Sequence, residues 1–455
     1  MPSAPLSSDA VAPGPDRPFS RRPRLLVSNG LDAGAGRILD TVTDVVAVTT
    51  LGMTTTQLGL LNALGSISFL LLAVPLGALV DARGATRVLP VALAGKLALV
   101  AATAGLLITG HLTVSALMVL VTALGLLSVA TENAQVSAVP QVAASRERIA
   151  SAVASLSAAD RVAGVVVPGA TGLLLAAVGV GPLLVAAAVI AAAALLAALG
   201  LSRGWKGVVG GAGESMASDD DSLEAALSTG AQPEVEAVAE PASPAAELLD
   251  HRNAKVRHPM LAGFRELGGD RLLLASVLLT TAGNMGLAIG DSVEAVLVLR
   301  RLDLGAAYWG VLGSVGAVSG LVAAVVAPRV VRAVEPRRIF GLGALVQAVV
   351  AALPLAALLL PGAGAVLMVV FAALWSITLT VTNIAAGSYL AVAVDSAVLG
   401  RTSAASRTLT MGAVPVAALL GGWLGDVVGL AAPLVVWPAL TAATALVFVA
   451  LTRRR

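Results

Sequence analysis

The chain has 455 residues, 57% of them hydrophobic and only 12% charged, with a net charge of +2 at pH 7. A soluble domain carries about 25% charged residues, so this composition excludes an ordinary soluble enzyme and points to an all-α polytopic membrane protein. The small net charge gives no electrostatic reason to expect a nucleic-acid partner. Cysteine is absent, hence no disulfide, thiolate metal site or thiol chemistry is expected. His111, His251 and His258 are too scattered for a metal site, and neither a cofactor nor a catalytic residue is read.

Residues 1–23 are rich in Pro, Ser and Ala and read as a disordered cytoplasmic tail. Without an apolar run before Arg21-Arg22-Pro23-Arg24 they are not a signal peptide. The first apolar span, near 25–49, reads as an uncleaved anchor. Crossing a bilayer takes about 20 apolar residues, and further spans of that order lie near 57–80, 86–109, 112–139, 149–178 and 181–202. Together they predict an N-terminal six-helix bundle over 24–202.

The stretch 203–268 changes character, with glycines over 207–213, then Asp219-Asp220-Asp221, scattered Glu and Pro, and a basic patch of Arg252, Lys255 and Arg257. It reads as a flexible cytoplasmic linker whose end, 260–271, is a short amphipathic helix lying at the membrane surface. Spans near 270–299, 305–328, 337–360, 362–392, 402–428 and 430–452 form a C-terminal bundle over 269–455, closed by a short basic tail, Arg453-Arg454-Arg455. With both ends cytoplasmic, Arg83 and Arg87, Arg146 and Arg148, Arg329 to Arg338 and Arg401 all fall inside, and only Arg300 and Arg301 fall outside. Twelve spans therefore satisfy the positive-inside rule.

The halves repeat. A shift of 251 lays Asp40 on Asp291, Gly59 on Gly310, Arg87 on Arg338, Thr131-Glu132 on Thr382-Asn383 and Pro182-Leu183 on Pro433-Leu434. Two six-helix repeats joined by a cytoplasmic linker are an architecture of transporters that work by alternating access.

The joint between the second and third spans reads Gly77-Ala78-Leu79-Val80-Asp81-Ala82-Arg83-Gly84-Ala85-Thr86-Arg87. So short a connection makes the two helices antiparallel neighbours. Gly77 permits close backbone approach, Asp81 can meet a helix N-terminus, and Arg83 and Arg87 hold the joint on the cytoplasmic side. Gly77, Asp81, Arg83, Gly84 and Arg87 together resemble the signature loop of the major facilitator superfamily. In the second half Arg332 stands where Asp81 would be, so that copy is degraded.

Two more stretches resemble the third drug:proton antiporter family, which includes macrolide-efflux and siderophore-exporter types: 140–152 between spans four and five, and Gly263-Phe264-Arg265 with Asp270-Arg271-Leu272-Leu273 before span seven. Gly164, Pro168, Gly169 and Gly172 in span five are similar to the glycine-proline motif of antiporters. Many drug antiporters carry an Arg in helix four. Here Glu132, Asn133 and Gln135 stand there and helix five supplies Asp160 and Arg161, so a reversed pairing of Glu132 with Arg161 is conceivable.

Charges at a helix centre cost about 2.5–3.5 kcal/mol each on insertion scales. At 100° per residue, Asp32, Arg37, Asp40 and Asp44 of span one lie within roughly 140° of arc, and Asn284, Asp291 and Glu294 of span seven within roughly 80°. In the superfamily these two helices line the central cavity. Arg37, Asp40, Glu132, Asp160, Arg161, Asn284 and Asp291 are therefore candidates for a coupling and cavity site. The alternative role is ion pairing that holds the halves together, and Glu294 could instead lie solvated beside Arg300. Aromatics make up only 3% of the chain, which argues against a pocket for planar cations.

The expectation is a monomeric secondary transporter of a bacterial cytoplasmic (inner) membrane, multi-pass with both termini cytoplasmic. Its partners are a small-molecule substrate, protons and the lipid bilayer. Its activity is proton-coupled efflux of small, moderately hydrophobic compounds of drug or secondary-metabolite type. The rivals are a proton-coupled uptake symporter for a polar solute and a non-transporting membrane receptor or scaffold.

Overall fold

The computed structural model describes residues 22–142, 163–164, 166–175, 177–203, 259–394 and 399–453. The tail, most of the 203–268 stretch, Asp160 and Arg161 lie outside the described residues, as do the side chains of Asp81 and Arg401. All regular structure among the described residues is helical.

In the first half α1 (Arg22–Val45) runs into a π-helical turn, Val46–Thr50, followed by α2 (Thr55–Arg83), α3 (Ala85–Ile108), α4 (Val114–Val142), α5 (Val166–Leu175) and α6 (Val180–Arg203). The second half opens with a short helix, α7 (Pro259–Gly269). Then come α8 (Arg271–Val296) with its own π-helical turn, Leu297–Arg301, α9 (Gly305–Ala333), α10 (Pro336–Val350), α11 (Leu353–Leu359), α12 (Gly364–Ala393), α13 (Leu399–Gly412), α14 (Val414–Val427) and α15 (Ala431–Arg453).

Nine helices among the described residues are long and apolar enough to span a bilayer. The remaining three places belong to α1, which is interrupted by charges, and to the α2 and α5 regions. The result is a polytopic twelve-helix bundle in two pseudo-symmetric halves. The repeat holds in detail: the offset is 251 residues at Val46 and Leu297, at Ala85 and Pro336, and at Val180 and Ala431.

Local chemistry explains the element ends. Gly84 is the single residue between α2 and α3, with φ +83°, and its N–H donates to the Val80 carbonyl at 2.8 Å. Only glycine adopts such a backbone without strain. Gly84→Val should therefore cost about 1–3 kcal/mol and lower the melting temperature of the purified protein. An unchanged melting curve would show that the joint re-forms another way.

Asp270 caps α8, accepting from the Leu272 and Leu273 amides at 2.7 and 3.1 Å, and also accepts the Tyr389 hydroxyl of α12 at 2.8 Å. The expected amphipathic helix is α7, but its Leu267 is buried with Leu273, Val277, Val394 and Ala405. Leu267 therefore packs on the second bundle, while Phe264 is exposed.

The described contacts between the halves gather towards one end, where the α1/α2 and α8/α9 turns lie. There α2 crosses α14 and α5 crosses α9. Gly59 sits on the backbone of Ala418 and Gly422, and its repeat equivalent Gly310 sits on Gly172 and Pro168. Small residues let the helix backbones approach this closely.

The first crossing is further tied by Asp426. Its carboxylate accepts from the Thr55 amide at 3.0 Å, the Thr55 hydroxyl at 2.6 Å and the Thr56 amide at 3.0 Å. Thr54 and Gln57 of the same chain end form a capping box, so the orphan amides of α2 are satisfied jointly by both halves. Arg300, after α8, donates to the Val48 carbonyl at 3.1 Å through Nε and 2.6 Å through Nη2.

Candidate functional site

Between the halves lies a cavity of about 490 Å³. Its polar wall comes from Arg37, Asp40 and Asp44 of α1 and Asp291 and Glu294 of α8, and its apolar wall from Trp309 of α9 with Phe371 and Trp375 of α12. The small residues Gly313, Gly316 and Gly320 leave the room on α9.

Arg37 Nη1 stands 3.9 Å from Asp40 Oδ2, one turn apart, with the two side chains 52% and 72% exposed. Both line the cavity, so that exposure is to the cavity. Asn62 of α2 donates to Asp291 Oδ2 at 3.2 Å. Asp44 faces Asp40 on its own helix and Asp291 across the halves, with Trp309 within hydrogen-bonding reach. Glu294 faces Asp291 and Asp44. Four carboxylates thus share the cavity with one guanidinium.

The second half braces this wall. Trp437, fully buried, packs against Gly286 and Gly290 of α8. Its ring meets Trp375 edge-on at 4.8 Å and Phe371 at 5.4 Å between centroids. The aromatic wall is therefore clamped to the helix that carries Asp291.

Several expectations change. Asp32 does not share the cavity face of α1. It pairs with Lys96 of α3 at 2.5 Å, each side chain 12% exposed. Asn284 turns to α13 and donates to the Thr410 carbonyl at 3.0 Å, a packing contact away from the cavity. Glu294 lines the cavity rather than lying solvated beside Arg300, whose Nε and Nη2 donate to the Val48 carbonyl.

Glu132 is exposed on α4, and Arg161, its conceivable partner, lies outside the described residues. Gly77 faces Asn133 of α4, and Arg83 and Arg87 are exposed. Asp81 closes the last turn of α2. Aromatic scarcity was a poor guide, since three of the few rings converge on one wall.

Sequence reasoning overlooked Lys96, although a lone lysine in an apolar span signals a buried partner. It also passed over Asn62, Trp309 and Asp426. Lys96→Met should cost about 3–5 kcal/mol, the penalty for stranding one member of a buried pair. Adding Asp32→Asn should recover most of the loss in a thermal-unfolding assay. If the double variant is no more stable than the single one, the pair is not coupled.

Comparison with known proteins agrees with this architecture. The family model for the Major Facilitator Superfamily matches residues 25–409. No significant match appears among curated protein sequences. Among solved structures, an alanine-substituted form of the nucleoside transporter NupG superposes with a TM-score of 0.70 at 12% identity, covering 95% of this chain and 100% of that one. A bacterial homologue of the human lysosomal transporter Spinster, inward-facing and unoccupied, gives 0.63 at 14% identity over 97% and 98%. A POT family transporter in complex with a thioalcohol-conjugated peptide gives 0.63 at 13% over 95% and 96%. At such identities the likeness shows the fold alone, while the family match spans most of the chain and carries the assignment: this protein belongs to the Major Facilitator Superfamily.

Proposed function

We propose that this chain is a proton-coupled exporter of small, moderately hydrophobic compounds, of the third drug:proton antiporter type, working by alternating access in a bacterial cytoplasmic membrane. The observation that carries the reading is the cavity at the repeat interface. There Asp40 and Asp291, equivalent across the 251-residue repeat, both line the space. Intramembrane carboxylates facing a cavity are the usual proton carriers of transporters.

With residues 1–23, the 203–268 linker and the C-terminal end all cytoplasmic, the sealed end of the bundle is the outer one. The cavity then belongs to an inward-facing state, as named for the Spinster homologue. Asp40 pairs with Arg37 in that state, and a conformational change that parts them would change which of the carboxylates holds the proton. Glu132, Asp160 and Arg161 stay a second candidate set on the sequence alone, and the signature loop at Gly77–Arg87 governs the swing between states.

The test is transport in everted membrane vesicles with an imposed pH gradient and a panel of uncharged, cationic and anionic compounds. Uptake into everted vesicles that collapses when the gradient is dissipated supports export. Accumulation only in right-side-out vesicles would favour the symporter reading. No gradient-dependent movement of any compound in either orientation would leave the receptor or scaffold reading.

A further inference from the structure

We propose that the ligand of the central cavity is an organic cation: an amine or other onium centre carried on an aromatic or bulky apolar body. This rests on the reading of the cavity as the substrate site and names the class of compound that fits it.

Charge comes first. Among the described residues the wall offers Asp40, Asp44, Asp291 and Glu294 against Arg37 alone, and Arg37 is engaged with Asp40. Lys96 sits near but is committed to Asp32. Three carboxylates are left facing a space inside a low-dielectric bundle, with no guanidinium or ammonium of the described residues matched to them. A cationic guest relieves that repulsion, whereas an anionic guest adds to it.

Shape and surface come second. Lining the same cavity are the rings of Phe371, Trp375 and Trp309, the last within hydrogen-bonding reach of Asp44. Aromatic faces attract a desolvated cation and cover an apolar body at once. Trp375 is 5% exposed and presents only part of its ring to the cavity. The carboxylates are not grouped to hold a metal ion among the described residues, and the volume, about 490 Å³, suits an organic molecule.

The experiment is equilibrium binding to the purified full-length protein, without any gradient. Radiolabelled tetraphenylphosphonium is measured by scintillation proximity and displaced by unlabelled tetraphenylphosphonium or by tetraphenylborate, an anion of nearly the same size. The phosphonium should bind at least about tenfold more tightly than the borate, and Asp291→Asn and Glu294→Gln should each weaken it about fivefold or more. Equal affinities, or no saturable phosphonium binding to monodisperse protein, would overturn the proposal. So would full phosphonium affinity in both variants.

The comparison of the two ions uses the wild-type chain, so it stands even if a variant fails to fold. Cation-selective binding without gradient-driven transport would sink the exporter reading and leave this inference intact. Gradient-driven export confined to neutral or anionic compounds would do the reverse.

Discussion

Asp40→Asn and Asp291→Asn should each abolish gradient-driven accumulation, cutting the steady-state ratio by about tenfold or more, while substrate exchange at equal pH survives. Asparagine keeps the shape and most hydrogen-bonding capacity of the carboxyl but cannot carry a proton. Asp291 would keep its contact with Asn62, so its loss should be one of coupling rather than of folding. At Asp40 the substitution frees Arg37, a cation that would then face the ligand, so binding should also weaken there. Glu335→Gln serves as the control, because the Glu335–Arg338 pair is 72% exposed on both sides and stands away from the cavity. If both asparagine variants build the wild-type gradient, the carboxylates are structural, and coupling must be sought at Glu132 and Asp160.

Valine at Gly310, or at Gly422, should trap the transporter with its sealed end sprung open. A Cβ at Gly310 would stand 2.8 Å from the Pro168 carbonyl oxygen, and one at Gly422 would stand 3.1 Å from the Gly59 Cα. Both neighbours are backbone and cannot rotate away. Overpacking of this kind costs about 1–3 kcal/mol, and here only the state in which the crossings touch bears it. That shifts the balance between states by about 5- to 150-fold.

Transport should fall accordingly while abundance and helical content hold. A single cysteine at Ser376, on the cavity wall, should become reactive towards an impermeant thiol reagent from the side that is sealed in the parent. The chain has no native cysteine to confuse the signal. Wild-type transport together with an unreactive Ser376→Cys in the valine background would mean that the crossings are not a gate.

What the sequence reveals follows from which signals are local. Long apolar runs and the lone glycine at the α2/α3 joint are each decided within a few residues, and the described helices stand close to the expected spans. The 251-residue repeat is legible because Asp40 and Asp291 are of a rare type in an Ala/Val/Leu/Gly background.

Contacts between halves are a different matter. Thr55 meets Asp426 across 371 positions and Asn62 meets Asp291 across 229, and nothing in either local stretch announces the partner. Helical arc alone put Asp32 with Asp40. Pairing with Lys96 decided otherwise, because a buried lysine is costly until it finds a carboxylate. Asn284 likewise read as cavity-facing until the Thr410 carbonyl claimed it.

The bond from Arg300 to the Val48 carbonyl ties the halves through an acceptor that belongs to the main chain. Every amino acid at position 48 presents the same oxygen, so drift at that site leaves the tie untouched. Residue covariation cannot register a partner that never changes, and a double-mutant cycle has no second side chain to remove. The way to weigh this tie is to change the backbone itself. An ester in place of the amide between residues 48 and 49 would weaken the carbonyl as an acceptor while leaving every side chain in place.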